Sequence, residues 1–124
     1  MLITVREDQL KIAMGLLSYL PEYKNIATTQ REIDWYQNNP NRSLLLWQDP
    51  ESRHFVAMVG IEYMYHAVVI RQLVYGVEVP PTDRLKVRQE MLDALDRQNQ
   101  DLVLMGTVRI QHVVNDWREA KQDD

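Results

Sequence analysis

Ala67-Val68-Val69-Ile70-Arg71-Gln72-Leu73-Val74, followed by Pro80-Pro81-Thr82-Asp83 and then Arg84-Leu85-Lys86-Val87-Arg88, is the stretch that decides how this chain is read. The first segment is rich in β-branched residues and predicts a strand over Ala67–Tyr75. Thr82 or Asp83 then starts a helix to about Gln98, with Leu85, Met91, Leu92 and Leu95 along one face. A strand feeding a helix N-terminus is where α/β proteins hold phosphorylated ligands, because backbone N–H groups and the helix dipole converge there. Such a cradle normally needs glycine so that main chain can approach the phosphate. No glycine occurs between Gly76 and Gly106, and Arg84, Lys86 and Arg88 crowd the first turns instead. Each cation there is misplaced against the dipole by roughly 0.3–1 kcal/mol at low salt. Arg84 and Arg88 also repel at i, i+4 by about 0.2–0.5 kcal/mol. A phosphate gripped by side chains reverses that sign, and the planar fork of arginine suits the task. The other reading is a solvated face neutralised by Asp83, Glu90 and Glu78.

Upstream, Leu2–Arg6 alternates weakly and predicts a short first strand. Asp8 offers a cap for a helix over Gln9–Tyr19, which Pro21 stops. Thr28 or Thr29 can cap a second helix to about Asn38, with Glu32 completing a capping box from Thr29. Ser43–Gln48 and His54–Tyr63 predict strands, separated by a turn at Asp49-Pro50-Glu51-Ser52. Downstream, Asp101–Val108 predicts a strand and Ile110–Ala120 a final helix. Trp35, Trp47 and Trp117 read as core, and Met58, Met64, Met91 and Met105 as core fillers. Tyr63, Tyr65 and Tyr75 gather near strand ends, where they could line a cleft or a subunit contact. Lys121-Gln122-Asp123-Asp124 reads as a solvated tail.

At 124 residues and 45% hydrophobic, the chain suits one domain spanning residues 1–124. Without cysteine there are no disulfides, thiolate metal sites or cysteine nucleophiles. A net charge of −4 lacks the basic footprint of nucleic-acid binding. No apolar run approaches the roughly 20 residues that cross a bilayer. Met1-Leu2-Ile3-Thr4-Val5 meets Arg6, Glu7 and Asp8 at once, unlike a signal peptide, so a cytoplasmic setting is expected. His54, His66 and His112 lack the spacing of metal ligands, and no metal site is expected.

The resulting order, β-α-α-β-β-β-α-β-α, resembles the GNAT acyltransferase fold: a mixed α/β, mostly antiparallel central sheet flanked by helices. Ile12-Ala13-Met14-Gly15-Leu16-Leu17-Ser18-Tyr19-Leu20-Pro21 is similar to the first helix of the small GNAT-like protein encoded in Gram-positive riboflavin operons. Leu44-Leu45-Leu46-Trp47 and Phe55-Val56-Ala57-Met58-Val59-Gly60-Ile61-Glu62 resemble its second and third strands. Val69-Ile70-Arg71-Gln72-Leu73 resembles its fourth strand, and Met91-Leu92-Asp93-Ala94-Leu95 the helix after its cofactor loop.

The resemblance implies acetyl-CoA held between two splayed strands, its pantetheine arm on the backbone near Leu73-Val74-Tyr75. It also implies a pyrophosphate on a Gln/Arg-x-x-Gly-x-Gly loop, which falls here at Asp83-Arg84-Leu85-Lys86-Val87-Arg88. This chain departs from the motif: Asp83 occupies the first position, and Lys86 and Arg88 replace both glycines. The frequent tyrosine acid of the last helix has Val113-Val114 in its place, and the usual final hairpin is missing. The implied chemistry is attack of a small-molecule or protein amine on the acetyl thioester, with Glu62 and Glu78 as general-base candidates. Two other functions fit the same pattern: a non-catalytic recognition module, and a homodimer pairing through the sheet edge left by the missing hairpin.

Overall fold

In the computed structural model, which describes residues 1–122, one five-stranded sheet runs in the order β1 (Leu2–Thr4), β2 (Arg42–Gln48), β3 (Phe55–Met64), β4 (Ala67–Tyr75) and β5 (Val103–Gly106). Strands β1 to β4 are successively antiparallel, and β5 lies parallel to β4. The helices are α1 (Leu10–Leu17), α2 (Ile26–Gln37), α3 (Arg84–Gln98) and α4 (Gln111–Gln122). The parallel pair requires a crossover, and α3 supplies it. This is the mixed, mostly antiparallel arrangement that the resemblance implies. Asp123 and Asp124 of the expected solvated tail lie outside the described residues.

Helices cover both faces of the sheet, and β2 shows the consequence in its sequence. Leu44 and Leu46 pack with Leu17, Ile33 and Tyr36 of α1 and α2. Leu45 and Trp47, one residue out of phase, pack with Met91, Leu92, Leu95 and Trp117 of α3 and α4. A strand buried on both sides has no polar face to alternate with, so its sequence is a continuous apolar run.

Several boundaries differ from the expected ones for local reasons. Asp8 does not cap α1: it lies in a 3₁₀ turn, Glu7–Gln9, and its carboxylate accepts from Arg6 Nε at 3.2 Å. Strand β1 ends at Thr4, although Val5 still donates to Leu44 O at 2.8 Å. Asn25, not Thr28 or Thr29, caps α2, its Oδ1 accepting from the amides of Ala27 and Thr28 at 2.8 and 3.3 Å. Thr29 is buried within the helix and donates back to Tyr23 O, while Glu32 turns towards β4. Replacing Asn25 by alanine should therefore cost about 1 kcal/mol. Thermal unfolding should register this as a midpoint lower by roughly 3 °C, with Asn25→Asp largely unaffected.

Strand β5 is shorter than Asp101–Val108 because Gly106 and Thr107 already turn into α4. The Gly106 amide donates to Gln111 Oε1 at 2.8 Å, and Thr107 O accepts the amides of Ile110 and Gln111. At the outer edge of β5, Arg118 also donates to Leu104 O at 2.7 Å. Side chains of α4 thus occupy part of the backbone edge on which a second copy could add a strand. Met64 and Met105 are exposed rather than core, and Tyr65 stands free at the β3–β4 turn. Among the described residues, no helix is long and apolar enough to cross a membrane.

Candidate functional site

Strand β4 is two strands in one. Its first half, Ala67–Ile70, pairs with Val103–Gly106 of β5, and Thr107 makes the last bond by donating to Ile70 O at 3.1 Å. From Arg71 onward it diverges from β5 while still pairing with β3. The register shifts at this point: Ile61 faces Ile70 but Gly60 faces Gln72, so Arg71 is an extra, bulged residue. The bulge resets which backbone groups face outward. Gly76 donates to Val56 O on the β3 side at 2.7 Å. By strand alternation Val74 and Gln72 also face β3, leaving the N–H and C=O groups of Leu73 and Tyr75 on the open side.

A cleft of about 560 Å³ fills the divergence, lined by Tyr23, Glu32, Arg71, Gln72, Thr107 and Arg109 among others. Leu73 also borders a second arm of about 240 Å³ that continues past Tyr75, Gly76 and Val77 to Arg84. Gln72 is the hub of the first cleft. Tyr36 Oη donates to its Oε1 at 2.9 Å, and its Nε2 donates to Tyr23 Oη at 2.9 Å and Glu32 Oε1 at 3.3 Å. Such a network orients each member and resists partial loss. Gly60 makes room for it, since a Cβ there would fall onto the Tyr36 hydroxyl.

Burial pushes the Tyr36 hydroxyl far above its ordinary value, with the Glu32 charge adding to it. Tyr23 is raised by burial and then by Glu32. Tyr75 is raised by burial against the opposing pull of Arg88 and Arg84. All three keep a proton in the folded state that the unfolded chain loses near pH 10. The folded state then binds more protons, so stability falls as pH rises above about 10. Denaturant titrations should show this decline, and Tyr36→Phe should make it shallower by up to about 1.4 kcal/mol per pH unit. An unchanged slope in that variant would contradict the assignment to Tyr36.

The expected site residues are separated by the fold. Val74 is buried, its side chain in the α1–α2 core. Arg84 is exposed, lines the second arm, and places its guanidinium carbon 5.6 Å from the Tyr75 ring centre. Lys86 and Arg88 instead line a groove with Asp116 and Ala120 of α4, and Arg88 Nε is buried without a partner. Leu85 borders that groove and Val87 packs against the α3–α4 core. Glu62 lies behind the main cleft, where Arg71 Nη1 donates to its Oε1 at 3.3 Å and Arg42 Nε lies 3.5 Å from Oε2. Glu78 is exposed and pairs with His54 Nδ1 at 2.9 Å. Trp35, expected in the core, is only partly buried and carries the guanidinium groups of Arg42 and Arg71 at 3.7 and 4.6 Å from its ring centre.

Gln72, Tyr23, Tyr36 and Glu32 were not expected here. Gln72 alone left a signal, as a neutral polar residue inside an apolar strand run.

No family model matches the chain. An uncharacterized N-acetyltransferase of Bacillus methanolicus, encoded in the lysA 3′ region, is 34% identical over 61 residues, 49% of each chain. The match thus spans about half the length of that relative. The crystal structure of a probable acetyltransferase superposes with a TM-score of 0.70 at 10% identity, covering 97% of this chain and 87% of the other. A GNAT family acetyltransferase from Staphylococcus aureus gives 0.64 at 12% identity, over 86% and 84%. A spermidine N-acetyltransferase chimera from Vibrio cholerae and hSSAT gives 0.64 at 14%, over 96% and 79%. With its β4 bulge and diverging parallel pair, this chain has the fold of the GNAT acetyltransferases.

Proposed function

We propose that this chain transfers an acetyl group from acetyl-CoA to an amine at the point where β4 leaves β5. The observation that carries the reading is the row of outward main-chain groups at Leu73 and Tyr75, running from the Gln72 network to Arg84. Those groups fit the amides of a pantetheine arm, with Val74 anchoring the strand between them from the core side. A glycine cradle is replaced. Pro80 and Pro81 have no N–H, and the Asp83 amide is bonded to Pro80 O at 2.9 Å. The phosphates therefore rely on side chains, first Arg84, with Arg88 behind Tyr75. Lys86 serves the adjoining groove, and Leu85 and Val87 fix the pitch of the first turns.

When bound, acetyl-CoA supplies a thioester whose C–S bond breaks as the acceptor's C–N bond forms. The amine must lose a proton to attack, and the sulfur leaving group must gain one. Glu22 and Glu32 both border the cleft, but Glu22 is paired with Arg109, so Glu32 is the carboxylate left to take the first. Glu62 holds Arg71 in place, and Glu78 remains on His54 beyond the arm. With Val113 and Val114 buried, the Tyr23 hydroxyl, kept protonated by its surroundings, is the group placed to return the second. The resemblance to the riboflavin-operon protein adds a link to flavin metabolism to this reading. A homodimer remains part of it only outside the capped segment of β5.

Thermal unfolding with added acetyl-CoA tests the proposal. At a hundredfold excess over Kd the folded state gains about 2.7 kcal/mol, a midpoint increase of roughly 8 °C. No shift at millimolar acetyl-CoA, together with no calorimetric heat, would leave a fold without this cofactor.

A further inference from the structure

We infer that the acceptor is an amino acid, an amine carrying its own carboxylate, and that Arg71 and Arg31 select it. This rests on the acetyltransferase reading above. The walls of the cleft hold both signs of charge, but not in balance. Glu62 is shared between Arg71 at 3.3 Å and Arg42 at 3.5 Å, so one carboxylate meets two guanidinium groups. Glu22 is taken by Arg109 at 3.3 Å. Arg31, exposed beside Trp35 and Arg71 at the outer mouth, forms no ion pair among the described residues. Across from these cations stands Glu32, tied to Gln72. The neighbourhood thus carries four guanidinium groups and three carboxylates in a chain whose net charge is −4.

Arg71 is preorganised for an anion. Its place at the bulge fixes the backbone, the Trp35 ring supports the guanidinium at 4.6 Å, and Glu62 occupies only one side of the fork. Arg71 and Glu32 both border the inner cleft and the outer mouth. A ligand with ammonium and carboxylate on one carbon can meet Glu32 and Arg71 together. A polycation cannot: its second ammonium would face Arg31 and Arg71, a like-charge contact with no carboxylate free to offset it.

The test offers the full-length protein acetyl-CoA with an equimolar mixture of the twenty amino acids, then with the same amino acids as amides, then with spermidine. Acetylated products are read by mass spectrometry. Modification of at least one free acid, at least tenfold faster than its amide or spermidine, supports the proposal. Arg71→Gln should then raise KM for that acid more than tenfold with little change for the amide, and Arg71→Lys should recover part of the loss. Arg31→Gln, on an exposed position, should shift the same preference more mildly and guards against a folding defect at Arg71. Equal or better use of amides or spermidine overturns the proposal, as does no acetylated acid while acetyl-CoA still raises the melting temperature. No effect of acetyl-CoA on melting removes the acetyltransferase reading itself, and this inference with it.

Discussion

Gly60→Ala should lower the thermal midpoint by about 6–12 °C, corresponding to roughly 2–4 kcal/mol. Glycine inside a strand ordinarily weakens it, and alanine at a tolerant site gains about 0.4–1 kcal/mol by restricting the unfolded chain. Here the added methyl would stand 2.8 Å from Tyr36 Cζ, closer still to its hydroxyl, and 3.2 Å from Gln72 Oε1. Tyr36 cannot step aside freely: it is 2% exposed and packs edge-on against Trp35, with ring centres 5.0 Å apart. Overpacking costs about 1–3 kcal/mol, and displacing the ring also breaks its bond to Gln72, worth about 1 kcal/mol. Sterics therefore outweigh the entropic gain. In a Tyr36→Phe background the same substitution should cost about 1 kcal/mol less, because the hydroxyl and its bond are already gone. Equal penalties in both backgrounds, measured by denaturant titration, would contradict this role for Gly60.

Arg84→Ala should weaken acetyl-CoA binding by about 10–100-fold, the equivalent of one charge-assisted hydrogen bond of roughly 1.5–3 kcal/mol. Arg84 is the cation that borders the arm beyond Tyr75, and the proline turn before it supplies little main-chain donation. Lys86→Ala should change affinity less than threefold, since that ammonium lies along the groove beside Asp116. Affinity should also fall as salt rises, because Arg84 is exposed and its attraction is screened beyond about 10 Å at 0.1 M. Calorimetric titration of the two variants separates the cations. Equal effects of both, or none at Arg84, would remove the phosphate from this position.

How much of this was legible in the sequence follows from the range of each interaction. Ala67–Tyr75 is found with the predicted bounds, because β-branched and apolar residues flank Arg71 and Gln72 on both sides. The caps were harder, since Asn25, Thr28 and Thr29 are all competent, and the 3₁₀ turn Pro21–Tyr23 brings the chain in at Asn25. The three cations were read as one group, yet Arg84 borders the arm past Tyr75 while Lys86 and Arg88 line the groove against α4. Spacing along the helix does not give that split, since Arg88 stands one turn beyond Arg84. The Gln72 network was out of reach because Tyr36 and Tyr23 join it from 36 and 49 residues away. Its only local traces were a glutamine in an apolar run and Gly60 in a strand interior.

Amide hydrogen exchange at Leu73 and Tyr75, with and without acetyl-CoA, tests the central claim where it lives. Both amides should exchange fast in the free protein, facing the open side of β4, and become protected when acetyl-CoA is added, with Val74 slow throughout. Binding that leaves both amides unprotected, or protects only the groove between α3 and α4, would contradict it.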